Sequence, residues 1–307
     1  MSTPSFQLPS FAKINWSLRI LGRRADGYHE VRTVLQTISL QDELRFGALD
    51  SREVILSCSD PLIPLGEANL IVQAGTSLRD LFNVQAGATI HLEKHIPAQA
   101  GLGGASSNAA IALSGLAHLW RLDISVLDLI AIGSRLGADV PFFLIGGRVL
   151  ASGTGTELKA LDDVEKKHLI LISPNATVST AAAYETLKAP ALTTFSDASI
   201  LSSSRAEEIS EVSSLCLLHN DFEEVIFRSE PEIARAKAAL VRAGASASLL
   251  AGSGSTVFGI FDNKHEQERA LDNIQAEVGW RVFPAVTVSR QEYQASLGSC
   301  GVPLVTV

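Results

Sequence analysis

The residues most able to do chemistry lie in a glycine-rich segment, where a loop without bulky side chains runs into an alanine-rich stretch over residues 97–110. Gly101, Gly103 and Gly104 allow positive φ angles and a close approach of a ligand to the backbone. The first N–H groups of a helix have no partners within that helix, and the helix dipole favours negative charge there. The segment therefore predicts a phosphate-binding loop at the start of a helix.

The same segment does not match two common nucleotide-binding motifs. No Lys-Ser or Lys-Thr pair follows Gly103-Gly104, as a Walker A loop requires, and Ser106 takes the last place of a partial G-x-G-x-x-G pattern. Because isolated glycine patterns are frequent, a plain turn before a buried helix is the alternative. Ser106 and Ser107 also have two interpretations, as hydroxyl ligands of a phosphate or metal or as N-caps of the helix.

A lysine and an aspartate far apart in the sequence are the candidates for acid–base chemistry. Asp139 is predicted on a short connector between Gly137 and Pro141, in an apolar stretch where an unpaired carboxylate is costly. Lys13 is predicted on the polar face of a first strand, where a lysine more often reaches solvent than takes part in catalysis. If the two meet, the ammonium stabilises a developing alkoxide while Asp139 accepts the proton. Such a pair predicts phosphoryl transfer to an alcohol, with Mg²⁺ neutralising the transferred group.

Aromatic and small residues elsewhere indicate where a planar ring could bind. Tyr28 and His29 follow the turn signal Asp26-Gly27, and an aromatic ring beside an imidazole can stack on and hydrogen-bond to a flat ring. An aromatic ring that merely covers the core is the alternative for this position. Tyr184 offers a second stacking face. The segment Gly252-Ser253-Gly254 either brings N–H groups near an anion or closes a hairpin.

Strands and helices alternate in the prediction around these residues. Hydrophobic patterns predict strands over residues 11–21, 31–46, 86–94, 142–151, 168–173 and 281–289, with a hairpin over 247–261. They predict helices over residues 69–82, 107–119, 125–136, 179–187, 207–227, 231–243 and 266–277. Strand, glycine-rich loop and helix follow one another from residue 86, which is the context that a phosphate site needs. Residues 190–204, rich in Ser, Thr and Ala, are predicted to form a mobile loop.

Composition and charge limit the classes of protein to which the chain can belong. The chain has 307 residues, of which 46% are hydrophobic and 19% charged, as in ordinary globular proteins of one or two domains. The formal net charge of −8 argues against binding to nucleic acid or to a membrane surface. Residues 1–10 do not resemble a signal peptide and no apolar run reaches the length of a membrane span, which together predict a cytoplasmic protein.

Four segments resemble the conserved segments of the GHMP kinase superfamily. They are Ala12-Lys13-Ile14-Asn15 with residues 22–29, residues 96–110, residues 136–143, and Ala251-Gly252-Ser253-Gly254. The resemblance spans most of the chain and implies an α+β fold of two domains, which we place at residues 1–160 and 161–307. The N-terminal domain is expected to be similar to the second domain of ribosomal protein S5 and the C-terminal domain to be ferredoxin-like, with ATP and its acceptor between them.

The resemblance also implies roles for individual residues. It implies Lys13 and Asp139 as the catalytic pair, with ATP and Mg²⁺ as cofactors. The residues implied at the nucleotide are Asn69, Leu70, Lys94, Pro97, Ala100, Gly101, Leu102, Gly103, Gly104, Ala105, Ser106 and Ser107. The residues implied at the acceptor, a small cytidine-diphosphate alcohol, are Asn15, Tyr28, His29, Tyr184, Gly252, Ser253 and Gly254.

The loop departs from the family pattern at two positions. Many members have Gly-Gly-Gly-Ser-Ser-Asp, whereas residues 103–108 of this chain have alanine in the third place and asparagine in the last. The missing carboxylate at Asn108 weakens a metal-ligand role there, so the metal ligands are left open.

Two alternatives to this function come from the same resemblance. One is a related small-molecule kinase that acts on homoserine, mevalonate or a sugar. The other is a non-catalytic RNA-binding or assembly protein on an S5-like fold, which the acidic charge disfavours. For the assembly, a monomer or a weak homodimer is expected.

Overall fold

The computed structural model describes residues 5–187, 189–191 and 218–301. The strands in these ranges are β1 (Ser5–Arg23), β2 (His29–Leu49), β3 (Val54–Cys58), β4 (Gly87–Glu93), β5 (Arg148–Ser152), β6 (Glu157–Ala160), β7 (His168–Ser173), β8 (His219–Asn220), β9 (Ala247–Leu250), β10 (Val257–Phe261) and β11 (Arg281–Val286). The helices are α1 (Leu70–Leu81), α2 (Gly104–Leu119), α3 (Val126–Leu136), α4 (Val140–Ile145), α5 (Thr180–Leu187), α6 (Phe222–Ser229), α7 (Pro231–Arg242), α8 (Lys264–Asn273) and α9 (Arg290–Leu297).

A long antiparallel hairpin of β1 and β2 is the centre of the first sheet. The strands are ordered β3-β4-β2-β1-β8, and β5 joins the first half of β2 with β6 beside it. Gly27, with a φ of 90°, lies in the turn that connects β1 to β2. The hairpin prediction is therefore confirmed, although both strands are longer than predicted.

The second sheet is antiparallel, with the strand order β11-β7-β10-β9. Side chains alternate between its two faces, as the pleat of a strand requires. Leu169 and Leu171 pack in one cluster with Ile14 and Trp16 of β1, between the two sheets. The alternate residues Ile170 and Ile172 pack with residues of α6, α7 and α8 on the opposite face.

The other face of the first sheet is covered by helices α1 to α4. Helix α2 is buried along almost its whole length, and small residues allow it to lie close to the sheet. A Cβ atom added at Gly115, for example, would lie 2.4 Å from the Phe46 ring. The layers are therefore helices, sheet, sheet and helices, which agrees with the predicted α+β class.

Residues 142–151 differ from the predicted kinked strand. They form the end of the short helix α4, then Gly146 and Gly147 with φ angles of 71° each, and then β5. Pro141 lies in the first turn of α4, where its fixed φ suits a helix. Because every residue of α4 is buried, its apolar run carries no periodicity that separates helix from strand. The strand prediction was wrong up to residue 147 and right for the residues that follow.

The helix predicted over residues 207–227 agrees only partly with the structure over its described residues, 218–227. Residues 207–217 lie outside the described ranges, and His219 and Asn220 form strand β8, parallel to β1. The helix begins only at Phe222. The loop predicted over residues 190–204 lies outside the described ranges from residue 192 onward. No helix in the part of the chain that the structure describes is long and apolar enough to cross a membrane.

Candidate active site

One cleft of about 1420 Å³ contains nearly all the residues singled out in the sequence. Its walls come from the segment before α2, the start of α1, the tip of the β1–β2 hairpin, α5, and the turn between β9 and β10. Ser107 and Gly254 are the two predicted site residues that do not line it. Residues from both halves of the chain thus face one space.

The glycine-rich loop packs directly on the turn after β9. A Cβ atom at Gly101 would lie 2.0 Å from the carbonyl oxygen of Ala251, and the φ of Gly101 is 77°. At Gly103, with a φ of 71°, it would lie 2.8 Å from the Phe143 ring. Both positions therefore need glycine, for the close contact as much as for the backbone conformation.

The start of α2 leaves three N–H groups facing the cleft region. Gly103 is the N-cap residue and no side chain caps the helix. The first helical bond runs from the Ser107 N–H to the Gly103 carbonyl, so the N–H groups of Gly104, Ala105 and Ser106 have no acceptor within the helix. The interpretation of Ser106 and Ser107 as N-caps is wrong, and the free N–H groups fit an anion.

The two serines of this turn have different surroundings. Ser106 lines the cleft. Ser107 is fully buried, and its hydroxyl lies within hydrogen-bond distance of Ser10 Oγ, at 2.8 Å. The Ser107 side chain therefore points into the core behind the loop, and a place for Ser107 at the nucleotide stays a prediction.

A buried aspartate that the sequence analysis missed holds both flanks of the loop. Asp42 Oδ1 accepts hydrogen bonds from the N–H groups of His95 at 2.7 Å and Ile96 at 2.8 Å. Its Oδ2 accepts from Lys94 Nζ at 2.9 Å and from Asn108 Nδ2 at 3.1 Å. The segment before the loop and the first turn of α2 are thus joined through one carboxylate.

This arrangement also explains the asparagine at position 108. Asn108 is buried, and its amide oxygen accepts from Ser10 Oγ at 2.6 Å while its amide nitrogen donates to Asp42. An aspartate here would place a second carboxylate against Asp42 inside the core. The amide satisfies both neighbours instead.

Removing the Asp42 charge is expected to destabilise the protein. Asp42→Asn places an NH₂ group against N–H or ammonium donors and leaves buried Lys94 without its counter-ion. We expect a loss of about 3–5 kcal/mol in the free energy of unfolding, measured by urea denaturation. Glu43→Gln, next to it on β2 in an ion pair with Arg45, should cost less than about 1 kcal/mol. Equal stabilities of the two variants would contradict this role of Asp42.

Lys13 and Asp139 meet in the cleft, with Lys13 Nζ 3.8 Å from Asp139 Oδ2. The lysine side chain is only 6% exposed, whereas that of Asp139 is 40% exposed. Asp139 precedes α4, but its carboxylate does not cap that helix. The pair therefore combines a buried, fixed ammonium with a carboxylate that a ligand can reach.

The polar face of β1 is not open to solvent, contrary to the expectation from alternation. Lys13 and Asn15 are both buried. Asn15 Oδ1 accepts from Lys13 Nζ at 2.9 Å and from the Gly252 N–H at 3.0 Å. Asn15 Nδ2 donates to Thr33 Oγ1 at 2.7 Å, and Thr33 in turn donates to the Ser17 carbonyl. Thr33, which the sequence analysis missed, thus fixes the orientation of the Asn15 amide, and the amide orients Lys13.

The turn after β9 is held by a third residue that the sequence analysis missed. Asn220 is buried and donates to the carbonyls of Leu250 at 2.8 Å and Gly252 at 2.7 Å. Ser253, in the same turn, exchanges a hydrogen bond of 2.8 Å with Thr180 of α5. The predicted hairpin is confirmed, and its turn lies against the Lys13 ammonium rather than in solvent.

Aromatic rings form one wall of the cleft. His29 and Tyr184 stack with their ring centroids 4.6 Å apart, and Tyr184 meets Phe222 edge to face. Tyr28 is 67% exposed, so its interpretation as a ring covering the core is wrong. Stacked and exposed rings at one mouth of a cleft suit a planar ligand.

The protonation of this wall follows from its surroundings. Burial, and then the Asp139 charge, raise the pKa of Tyr184 to about 12, so the phenol stays a hydrogen-bond donor at neutral pH. Burial, and then the charge of Arg23, lower the pKa of His29 below its ordinary value. A neutral imidazole can both donate and accept, as pairing with a heterocyclic base requires.

Comparison with known proteins identifies the class of this fold and site. The model of the GHMP kinase N-terminal domain matches residues 69–147, and that of the GHMP kinase C-terminal domain matches residues 200–279. A homoserine kinase from Cytophaga hutchinsonii has the same fold, with a TM-score of 0.67 and 19% identity over 92% of this chain and 95% of that one. The chain belongs to the GHMP kinase family.

Within that family, relatives that are similar over most of this chain share one enzyme name. The chain is 37% identical to the 4-diphosphocytidyl-2-C-methyl-D-erythritol kinase of Syntrophotalea carbinolica, over 93% of this chain and 99% of the relative. It is 40% identical to the enzyme of that name from Prosthecochloris aestuarii, over 92% and 98% of the two chains. A crystal structure of 4-(cytidine 5'-diphospho)-2C-methyl-D-erythritol kinase matches with a TM-score of 0.76 and 29% identity, over 92% of this chain and 99% of that one.

Proposed function

We propose that this protein transfers the γ-phosphoryl group of ATP to the 2-hydroxyl of 4-diphosphocytidyl-2-C-methyl-D-erythritol, a step of non-mevalonate isoprenoid precursor synthesis. The names of the relatives support this substrate. The observation that carries the chemistry is the pair of Lys13 and Asp139, 3.8 Å apart in the cleft that the glycine-rich loop lines.

Asp139 acts as the general base in this proposal. Its exposed carboxylate takes the proton of the acceptor hydroxyl as the hydroxyl oxygen attacks the γ-phosphorus and the bond to ADP breaks. Lys13 stabilises the negative charge that develops on the attacking oxygen. Its ammonium is held by Asn15 before the reaction begins, so little reorganisation is needed in the transition state.

The start of α2 receives the triphosphate. The free N–H groups of Gly104, Ala105 and Ser106 and the positive end of the helix dipole both favour phosphate oxygens. Asn69, Leu70 and Lys94 also line the cleft and are proposed beside the nucleotide. The ammonium of Lys94 also contacts Asp42 and the Ile96 carbonyl, so it contributes to the shape of the loop.

A magnesium ion bound with the triphosphate would neutralise charge on the transferred group. Mg²⁺ takes oxygen ligands and commonly binds through few protein groups together with substrate phosphates. No cluster of three or more His, Cys, Asp or Glu side chains able to hold a metal occurs among the described residues. The Ser106 hydroxyl in the cleft wall is the donor we propose for an ion carried by ATP, whereas buried Asn108 is engaged by Asp42 and Ser10.

The aromatic wall is proposed to bind the cytosine ring of the acceptor. Tyr28 is free to lie against a base, and neutral His29 can form hydrogen bonds to its edge. Three further points stay predictions. They are a location in the cytoplasm, a domain boundary between residues 160 and 161, and an assembly as a monomer or weak homodimer that binds neither nucleic acid nor membranes.

Phosphorus NMR tests the activity directly. Purified protein is mixed with ATP, Mg²⁺ and the cytidine-diphosphate alcohol, and we expect signals of ADP and of a new phosphomonoester. Parallel samples contain homoserine, mevalonate or a sugar in place of the acceptor. A phosphomonoester formed from one of those compounds but not from the cytidine compound would contradict the proposed function.

A further inference from the structure

The cationic side chains that line the cleft differ in how their charges are balanced. Lys13 faces Asp139 and Lys94 faces Asp42, each within ion-pair distance. Arg23 also lines the cleft, and no carboxylate among the described residues lies within ion-pair distance of it. Among the residues that the structure describes, Arg23 is therefore the cleft lysine or arginine whose charge has no carboxylate partner.

Arg23 and Arg24 are neighbours in the sequence with different surroundings. The guanidinium of Arg24 is bonded to Asp26 at 3.1 Å and to Glu30 at 2.7 Å, within the hairpin tip. The Arg23 side chain is exposed and faces the cleft. Arg24 thus stabilises the turn, and Arg23 is available to a ligand.

The backbone around Arg23 is well fixed. Its N–H donates to the Pro190 carbonyl at 2.8 Å, and it is the direct cross-strand partner of His29 in the hairpin. Directly opposed residues of an antiparallel pair place their side chains on the same face of the sheet. Arg23 therefore lies beside the stacked rings of His29 and Tyr184, and its charge acts on the imidazole.

We propose that Arg23 binds the diphosphate of the acceptor, an inference that rests on the proposed function. A base on the aromatic wall and a hydroxyl at Asp139 place the diphosphate between Asp139 and that wall, beside which Arg23 lies. Two carboxylates, Asp139 and Glu185, also line the cleft. A diphosphate needs a cation there, and a guanidinium offers paired N–H groups that match phosphate oxygens.

Two ligands that differ only in the diphosphate give the sharpest test. The affinities of the full-length protein for CDP and for cytidine are measured by isothermal titration calorimetry, in wild type and in Arg23→Gln. We expect Arg23→Gln to weaken CDP binding about tenfold and to change cytidine binding less than about twofold. Raising the salt concentration should weaken CDP binding more in wild type than in the variant.

Two further variants serve as matched controls. Arg23→Lys keeps the charge and should recover much of the affinity for CDP. Arg228→Gln removes the same charge from an exposed arginine on α6 that pairs with Glu224, and should bind CDP like wild type. Equal losses for CDP and cytidine in Arg23→Gln, or no loss for either, would overturn the role of Arg23.

The same samples separate this proposal from the proposed function. Turnover of the cytidine-diphosphate alcohol by the wild-type protein reports on the function, whatever Arg23→Gln does. If wild type turns over the compound and the variant keeps its preference for CDP over cytidine, only the assignment of Arg23 fails. A wild-type protein that neither binds CDP nor turns over the compound overturns both.

Discussion

Asp139→Ala is expected to lower the turnover of the cytidine-diphosphate alcohol by about 10²–10⁴-fold, because no other carboxylate lies within ion-pair distance of the Lys13 ammonium among the described residues. The affinity for ATP should stay close to that of wild type, since the triphosphate is proposed to bind at the start of α2. Steady-state kinetics with both substrates varied would measure the two effects separately.

Asp139→Asn and Asp272→Asn give this prediction its controls. The first keeps the size of the side chain and removes its basicity, so it should be almost as inactive as the alanine variant. The second removes a carboxylate from an exposed position on α8, which is not among the residues that line the cleft. Turnover of the Asp139 variants at the level of Asp272→Asn would remove Asp139 from the mechanism.

Lys13→Met is expected to lower turnover by about 10²–10³-fold. Methionine keeps an apolar chain next to Gly103, where the lysine stem packs, and removes the ammonium that stabilises charge on the attacking oxygen. Melting temperatures would show whether the variant is folded. Half-buried Lys167, which pairs with exposed Glu165, offers the control, because Lys167→Met removes an equal charge outside the cleft.

The two variants together test whether the residues act as one unit. The effects of substituting groups that cooperate in a single step are not additive. The double variant Lys13→Met/Asp139→Ala should therefore have a turnover only slightly below that of the less active single variant. Losses that multiply would indicate that lysine and aspartate act on separate steps, contrary to the mechanism proposed here.

Much of this site is visible in the sequence because short segments carry it. Composition and order alone predict Gly101 and Gly103 in a loop before a helix, and the structure gives both glycines positive φ angles. The helix predicted from residue 107 begins at Gly104 in the structure. The sequence does not show that Lys13 and Asp139 meet, and the predicted chemistry depends on their meeting. The number of residues between two positions on different elements does not determine their distance in space. The fold brings Lys13 Nζ and Asp139 Oδ2 to 3.8 Å from each other.

The parts that sequence reasoning missed are buried polar residues with long-range partners. Asp42, Thr33 and Asn220 lie within strands β2 and β8, where a polar residue usually indicates a solvent-facing position. All three are buried. Asp42 and Asn220 are bonded to segments remote in the chain, and Thr33 is bonded across the hairpin to Asn15 and Ser17. The error for α4 has a different cause, since a short apolar run fits a buried helix and a buried strand equally well.

The contact between Asn15 and the Gly252 N–H has a consequence for how activity arises during synthesis. The segment that carries the amine leaves the ribosome well before the turn that completes its surroundings, because Asn15 and Gly252 are 237 residues apart in the chain. A nascent chain without that turn therefore lacks the finished centre. Phosphoryl transfer is expected only after the turn has been made and has folded against Asn15.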